Sequence, residues 1–67
     1  MSDETYLAEM GTRIWALRKK KKLRQDQLGF ARSQISSIES GDRNCCILTL
    51  KRIAEKLGCQ VVDLLPY

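Results

Sequence analysis

The sequence predicts an all-α domain of five short helices, and three observations carry that prediction. Apolar residues recur at three- and four-residue spacing along most of the chain, as on one face of a helix, with no strand-like alternation. Gly29, Gly41 and Gly58 stand where these rhythms stop, and Gly41 lies in the place a helix C-terminus wants a residue of positive φ. The chain has 67 residues, 43% hydrophobic and 30% charged, which suits a single small core and excludes intrinsic disorder.

The first helix reads from Tyr6 to about Lys21, with Leu7, Met10, Ile14 and Leu17 on one face. Ser2 or Thr5 is placed to cap it, Asp3, Glu4 and Glu9 suit its positive end, and Gly11 marks a close approach of another backbone. Residues 1–9 form an extension of this helix ahead of a core spanning 10–65, all within one domain, 1–67. Leu23 leaves the stripe, so the chain turns near Lys22. Arg24 to Leu28 offers barely one helical turn before Gly29 breaks it, with Phe30 as an apolar anchor.

Residues 31–39 form a third, amphipathic helix, with Ile35 and Ile38 inward and Arg32, Ser33, Ser36 and Ser37 on its other sides. Gly41-Asp42-Arg43-Asn44 is a loop. Ile47, Leu50, Ile53, Ala54 and Leu57 make a fourth helix ending at Gly58, and Val61, Val62, Leu64 and Leu65 a fifth, ended by Pro66. Ile35, Ile38, Leu50, Ile53 and Leu57 are core positions under every functional reading.

Several function classes fall away. There is no histidine, no spaced carboxylate pair, no phosphate-cradling glycine loop and no orienting partner for a nucleophile, so an enzyme is not expected. Cys45, Cys46 and Cys59 are odd in number and fit neither a disulfide framework nor a zinc pattern; they read as small semi-buried residues, with no metal or cofactor expected. The acidic start Met1-Ser2-Asp3-Glu4 lacks the features of a secretory signal, and no apolar run approaches the ~18–20 residues of a membrane span. A cytoplasmic location with no membrane partner is the expectation.

Twelve basic against eight acidic residues give a net charge of +4. Arg18, Lys19, Lys20, Lys21, Lys22 and Arg24 fill six of seven consecutive positions. A solvated helix end accounts for some of them, since cations complement the carbonyl-rich terminus; a polyanion contact accounts for the density. The third helix adds a second argument. A helix that reads DNA enters the major groove, carries short or forked donors, and is backed by apolar residues that fix its angle. Arg32 offers a fork for guanine, and Ser33, Ser36 and Ser37 let the backbone come close, although serines also simply decorate solvent-facing helices.

Gly11-Thr12-Arg13-Ile14 with Leu17-Arg18, then Leu23 and Gln25, then Gly29 to Gly41, "GFARSQISSIESG", and finally "TLKRIAEKLG" with Leu64-Leu65 form a recognisable series. It resembles the Cro and phage-repressor type of helix-turn-helix, over nearly the whole stretch from Met10 to Leu65. The resemblance implies a compact five-helix lambda-repressor-like domain. It also implies base contacts from Arg32, Ser33, Ser36 and Ser37, with Arg32 the leading specificity residue. Gln25, Gln34, Arg43 and Asn44 would hold phosphates, with Lys20, Lys22 and Arg24 flanking the same surface, and Glu39 would make an internal contact.

The sequence also departs from the family. About four residues, roughly one turn or ~5–6 Å of helix, are missing between Leu28 and Gly29. Lys22 stands where glycine commonly ends helix 1, Arg24 and Ala31 where Ser or Thr commonly caps helices 2 and 3, and Cys45-Cys46 where Pro-Ser commonly precedes helix 4. Three outcomes are open: helix 2 collapses to a turn with helix 3 still presented, residues 24–39 fuse into one helix that is exchanged between chains, or the domain does not fold alone.

The resemblance implies a sequence-specific transcriptional regulator, bacterial or phage-encoded and associated with the nucleoid. It would bind a pseudopalindromic operator in double-stranded DNA as a homodimer, with no small-molecule ligand. Val62, Leu64, Leu65 and Tyr67 are the apolar candidates for the dimer contact, and equally for the closing edge of the core. Phage repressor, restriction-modification controller and the DNA-binding antitoxin of a toxin-antitoxin pair are not separated. The alternative from another class is a helical dimerisation module whose DNA reading the short helix 2 impairs.

Overall fold

Ser2 is the residue that caps the first helix: its Oγ accepts from the Thr5 backbone N–H at 3.2 Å and pairs with the Thr5 hydroxyl at 2.8 Å. Helix α1 therefore runs Asp3–Lys20, starting four residues ahead of Leu7, the first apolar position of its stripe, with Asp3 and Glu4 in its first turn. A computed structural model describes residues 2–66. After α1 come a 3-10 turn at Gln25–Leu28, helix α2 (Arg32–Glu39), helix α3 (Ile47–Leu57) and a second 3-10 turn at Val61–Leu64. The all-helical class stands, and no strand occurs among the described residues. The count of five helices is not reached. Elements two and five are four residues each, enough to close one tight turn and too short to build an α-helical ladder.

All three α-helices end in the same way. The Leu23 N–H donates to Arg18 O and the Lys22 N–H to Lys19 O, each at 3.0 Å; Asp42 and Gly41 repeat the pattern on Ser37 and Ile38, and Cys59 and Gly58 on Ala54 and Glu55. Each pivot residue has positive φ: 58° at Lys22, 83° at Gly41 and 70° at Gly58. Lys22 thus adopts the conformation that glycine supplies elsewhere, at a steric cost of ~1–2 kcal/mol. Residues 24–39 do not fuse into one helix, because Gly29 is left-handed (φ 85°) and Ala31 extended (φ −61°, ψ 142°), so the chain bends twice before α2 begins.

The missing caps are met in two different ways. Arg24 has no capping side chain, yet Gln27 Oε1 reaches back to accept from the Arg24 backbone N–H at 2.6 Å. Ala31 has no substitute, and α2 starts without a side-chain cap. At Cys46, which precedes α3, the Sγ lies 3.3 Å from Thr49 Oγ1.

The core gathers Met10, Ile14, Leu28, Ile35, Ile38, Leu50, Ile53, Ala54, Leu57 and Leu64, with Leu7, Leu17, Leu23 and Phe30 packed at its edge. α1 lies against α2 and the second 3-10 turn, while the first 3-10 turn bridges α2 and α3. Gly11 sets the spacing between α1 and α2. A Cβ there would sit 2.5 Å from the Ile38 carbonyl oxygen and closer still to that of Glu39, so only glycine fits without moving backbone.

Candidate nucleic-acid interface

Ile35 and Ile38 are completely buried and hold α2 against the core, which turns its opposite face outward. Arg32, Ser33 and Ser36 on that face are exposed, while Ser37 and Gln34 are half-buried at its margin. The Ser37 carbonyl also anchors the end of α2, lying 3.0 Å from Ser40 Oγ and accepting the Asp42 N–H. The result is an eight-residue helix with one arginine and small hydroxyls outward, a shape narrow enough for a groove.

A polar network fixes how α2 sits on α1. Arg18 donates from Nε to Glu39 Oε2 at 2.6 Å, from Nη2 to Glu39 Oε1 at 2.9 Å, and from Nη1 to the Leu23 carbonyl at 2.9 Å. Both side chains are only 6% exposed, and the pairing to Glu39 raises the guanidinium's pKa against the opposing effect of burial. Gln25 Nε2 adds a 3.1 Å bond to Glu39 Oε1. Two readings change as a result. Arg18 leaves the basic block and becomes a structural residue, and Gln25 spends an amide proton inward on Glu39 instead of being wholly free for phosphate. Glu39 makes the internal contact expected of it.

The rest of the basic block is exposed: Lys19, Lys20, Lys21, Lys22 and Arg24, the last in a 3.2 Å surface ion pair with Asp26. A polar groove of about 460 Å³ lies between the end of α1 and the start of α2, lined by Arg18, Lys19, Arg24, Gln25, Asp26 and Arg32. Three expected contact residues, Arg24, Gln25 and Arg32, are thus brought together. Lys19 joins them, although the sequence reading gave it no individual role. Helical register is the signal that separates Lys19 from Arg18, since Gly11, Ile14 and Arg18 share one buried side of α1.

Other expected positions lie elsewhere. Arg43 and Asn44 are exposed in the loop after α2, and Asn44 lines a second, more apolar groove of about 480 Å³ with Tyr6, Leu7, Met10, Cys45 and Leu65. Among the dimer candidates, Leu64 is fully buried in this chain's own core and is withdrawn, Leu65 is half-buried, and Val62 is 59% exposed. Tyr67 lies outside the described residues. Sequence reasoning missed Ile47 and Leu48 as surface residues, 65% and 58% exposed at the start of α3. The three cysteines are free thiols, and no cluster of three or more metal-ligating side chains occurs among the described residues. No described helix is long and apolar enough to cross a membrane.

A tight turn followed by a helix whose apolar side is locked to the core and whose polar side is presented is a helix-turn-helix unit. The chain matches the family model HTH_3, "Helix-turn-helix", over residues 16–64, and it belongs to that family. It is 36% identical over 59 residues to the HTH-type transcriptional regulator y4dJ of Sinorhizobium fredii, covering 82% of this chain and 77% of that protein. Among solved structures it resembles the restriction-modification controller protein C.AhdI of Aeromonas hydrophila, with TM-score 0.83, 31% identity, and coverage of 87% of this chain and 94% of that one. It also resembles the DNA-binding domain of BldD, with TM-score 0.86, 26% identity, and coverage of 98% and 100% respectively.

Proposed function

We propose that this protein is a DNA-binding transcriptional regulator of the repressor or controller type, which recognises a pseudopalindromic operator as a homodimer. The observation that carries this reading is α2 itself. Its inner side is immobilised by two buried isoleucines and by the Arg18–Glu39 pair, and its outer side offers one arginine and hydroxyls next to a row of exposed cations. The likeness to a regulator and to a controller protein supports the same role.

In this reading α2 enters the major groove with Arg32, Ser33, Ser36 and Ser37 toward base edges. Lys20, Lys22, Arg24, Gln34, Arg43 and Asn44 hold the phosphates, and the second amide proton of Gln25 is directed to them. A single domain of this size spans few base pairs, so affinity requires two copies with half-sites about one DNA turn apart. Val62 and Leu65 supply the C-terminal part of the proposed dimer contact.

Selection of the purified protein on a randomised duplex pool at near-physiological salt tests the proposal. Enrichment of a two-fold symmetric motif, with affinity falling steeply as salt rises, is the expected result. Salt-insensitive self-association with no retained DNA would replace it with the interaction-module reading.

A further inference from the structure

The groove between α1 and α2 holds more positive charge than the fold needs. Of its cations, Arg18 is spent on Glu39 and the Leu23 carbonyl, and Arg24 has Asp26 as a surface partner. Among the described residues, neither Lys19 nor Arg32 has a carboxylate within ion-pair distance. The groove is open and polar, and nothing in it is apolar enough to favour a hydrophobic occupant.

Arg32 belongs to this groove by register as well as by position. It precedes Glu39 by seven residues, two turns of helix, and therefore lies on the same flank of α2. Glu39 faces Arg18, so that flank is the one turned toward α1. Ser33 and Ser37 share a different side, four residues apart and directed away from α1. The first turn of α2 adds donors to the same place. Ala31 supplies no side-chain cap, and helix geometry leaves the Arg32 and Ser33 N–H groups without internal acceptors, the Gln34 N–H being bonded to the Ala31 carbonyl at 3.0 Å.

We propose that this groove seats one phosphate group of the DNA backbone, clamped between Lys19 and Arg24 on one wall and Arg32 on the other. The inference rests on the DNA-binding reading above and changes the part Arg32 plays within it. Arg32 is a phosphate clamp that fixes register, and sequence is read by Ser33, Ser36 and Ser37. A guanidinium matches the two free oxygens of a phosphodiester through paired N–H donors, which makes it suited to this position.

The test measures affinity of the wild type, Arg32→Ala, Arg32→Lys and Ser33→Ala. The duplexes are the best selected one, its single base-pair variants, and copies with one phosphate at a time replaced by neutral methylphosphonate. Arg32→Ala is expected to weaken every duplex alike, by roughly tenfold, the loss of one charge-assisted contact. The ranking of base-pair variants should be unchanged, and the salt slope should fall by about 0.9. One methylphosphonate position should weaken the wild type by a larger factor than Arg32→Ala, whose remaining loss there reports Lys19 and Arg24, while every other position weakens the two proteins alike. Arg32→Lys should recover much of the loss, and Ser33→Ala should alter the ranking instead. Thermal melting of each variant serves as the folding control, since Arg32 and Ser33 are exposed.

Loss of preference at one or two base pairs in Arg32→Ala, with the salt slope unchanged, would overturn the clamp and leave the regulator reading intact. A wild type that enriches no duplex removes the regulator reading itself, and the clamp with it. Inorganic tripolyphosphate forms the last arm. If it displaces no DNA at matched ionic strength, the backbone is the source of the phosphate. If it binds the wild type as tightly as DNA does, and fails with Arg32→Ala, the groove is a free-anion site and the backbone assignment falls.

Discussion

Replacing Arg18 with alanine removes three hydrogen bonds at once and strands the Glu39 carboxylate, 6% exposed, with Gln25 as its remaining side-chain donor. Breaking a buried, well-aligned ion pair from one side costs ~3–5 kcal/mol, most of it the desolvation of the charge left behind. A chain of 67 residues has a total stability of about 3–10 kcal/mol at typical per-residue values. Arg18→Ala is therefore expected to unfold much of the population, or to lower Tm by ~12 °C or more. Removing both charges, as Arg18→Met with Glu39→Leu, leaves no buried charge behind and should hold stability within ~1–2 kcal/mol of the wild type. Urea titrations of the wild type, Arg18→Met, Glu39→Leu and the double variant, followed by circular dichroism and by the emission of Trp15, give the four corners of the cycle. If Arg18→Ala loses less than ~1 kcal/mol, or the double variant falls as far as the singles, the pair is not what fixes α2 on α1.

Three other substitutions or reactions follow from single features. Gly11→Ala should lower stability by ~1–3 kcal/mol despite alanine's better helix propensity, because the new methyl meets the Ile38 and Glu39 carbonyls; the urea midpoint reads it directly. Lys22→Gly should raise stability by ~0.5–1 kcal/mol, since glycine takes φ 58° without strain and Lys22 is exposed, while DNA affinity falls if the lysine holds a phosphate. Cys46 should alkylate first at neutral pH. The hydrogen bond with Thr49 holds its thiol below the ordinary range, whereas burial pushes Cys45 and Cys59 up, so peptide mapping after brief iodoacetamide treatment should find Cys46 labelled ahead of both.

The core and the breaks between elements were legible because they depend on spacing alone. Met10, Ile14, Ile35, Ile38, Leu50, Ile53 and Leu57 are buried at the helical intervals that marked them, and Gly11 admits the close backbone it implied. Gly41 takes the left-handed turn its position called for. Arg18 was hidden by its neighbours. Within a run of cations its type suggested solvent, whereas its phase, four residues after Ile14, placed it inside. The partner that makes burial tolerable, Glu39, lies 21 residues away, beyond any local pattern. The first and last short elements failed as α-helices for a related reason: apolar spacing over four residues cannot distinguish an i→i+3 turn from an i→i+4 one. Ile47 and Leu48 were missed as surface residues because periodicity sets which side is apolar and leaves open how far the core extends to cover it.

The Arg18–Glu39 bond also bears on how the chain reaches this structure. Closing a loop of 21 residues carries a modest entropic penalty, and α1, the turn and α2 need no other part of the chain to meet. Contacts this near in sequence assemble on the fast side of folding kinetics, ahead of the docking of the C-terminal half. The helix proposed to enter the groove is thereby ordered by its own neighbourhood. Transient opening of α3 and the last turn should leave α2 in register, which native-state hydrogen exchange would show as protection at Ile35 and Ile38 outlasting that at Leu50 and Ile53.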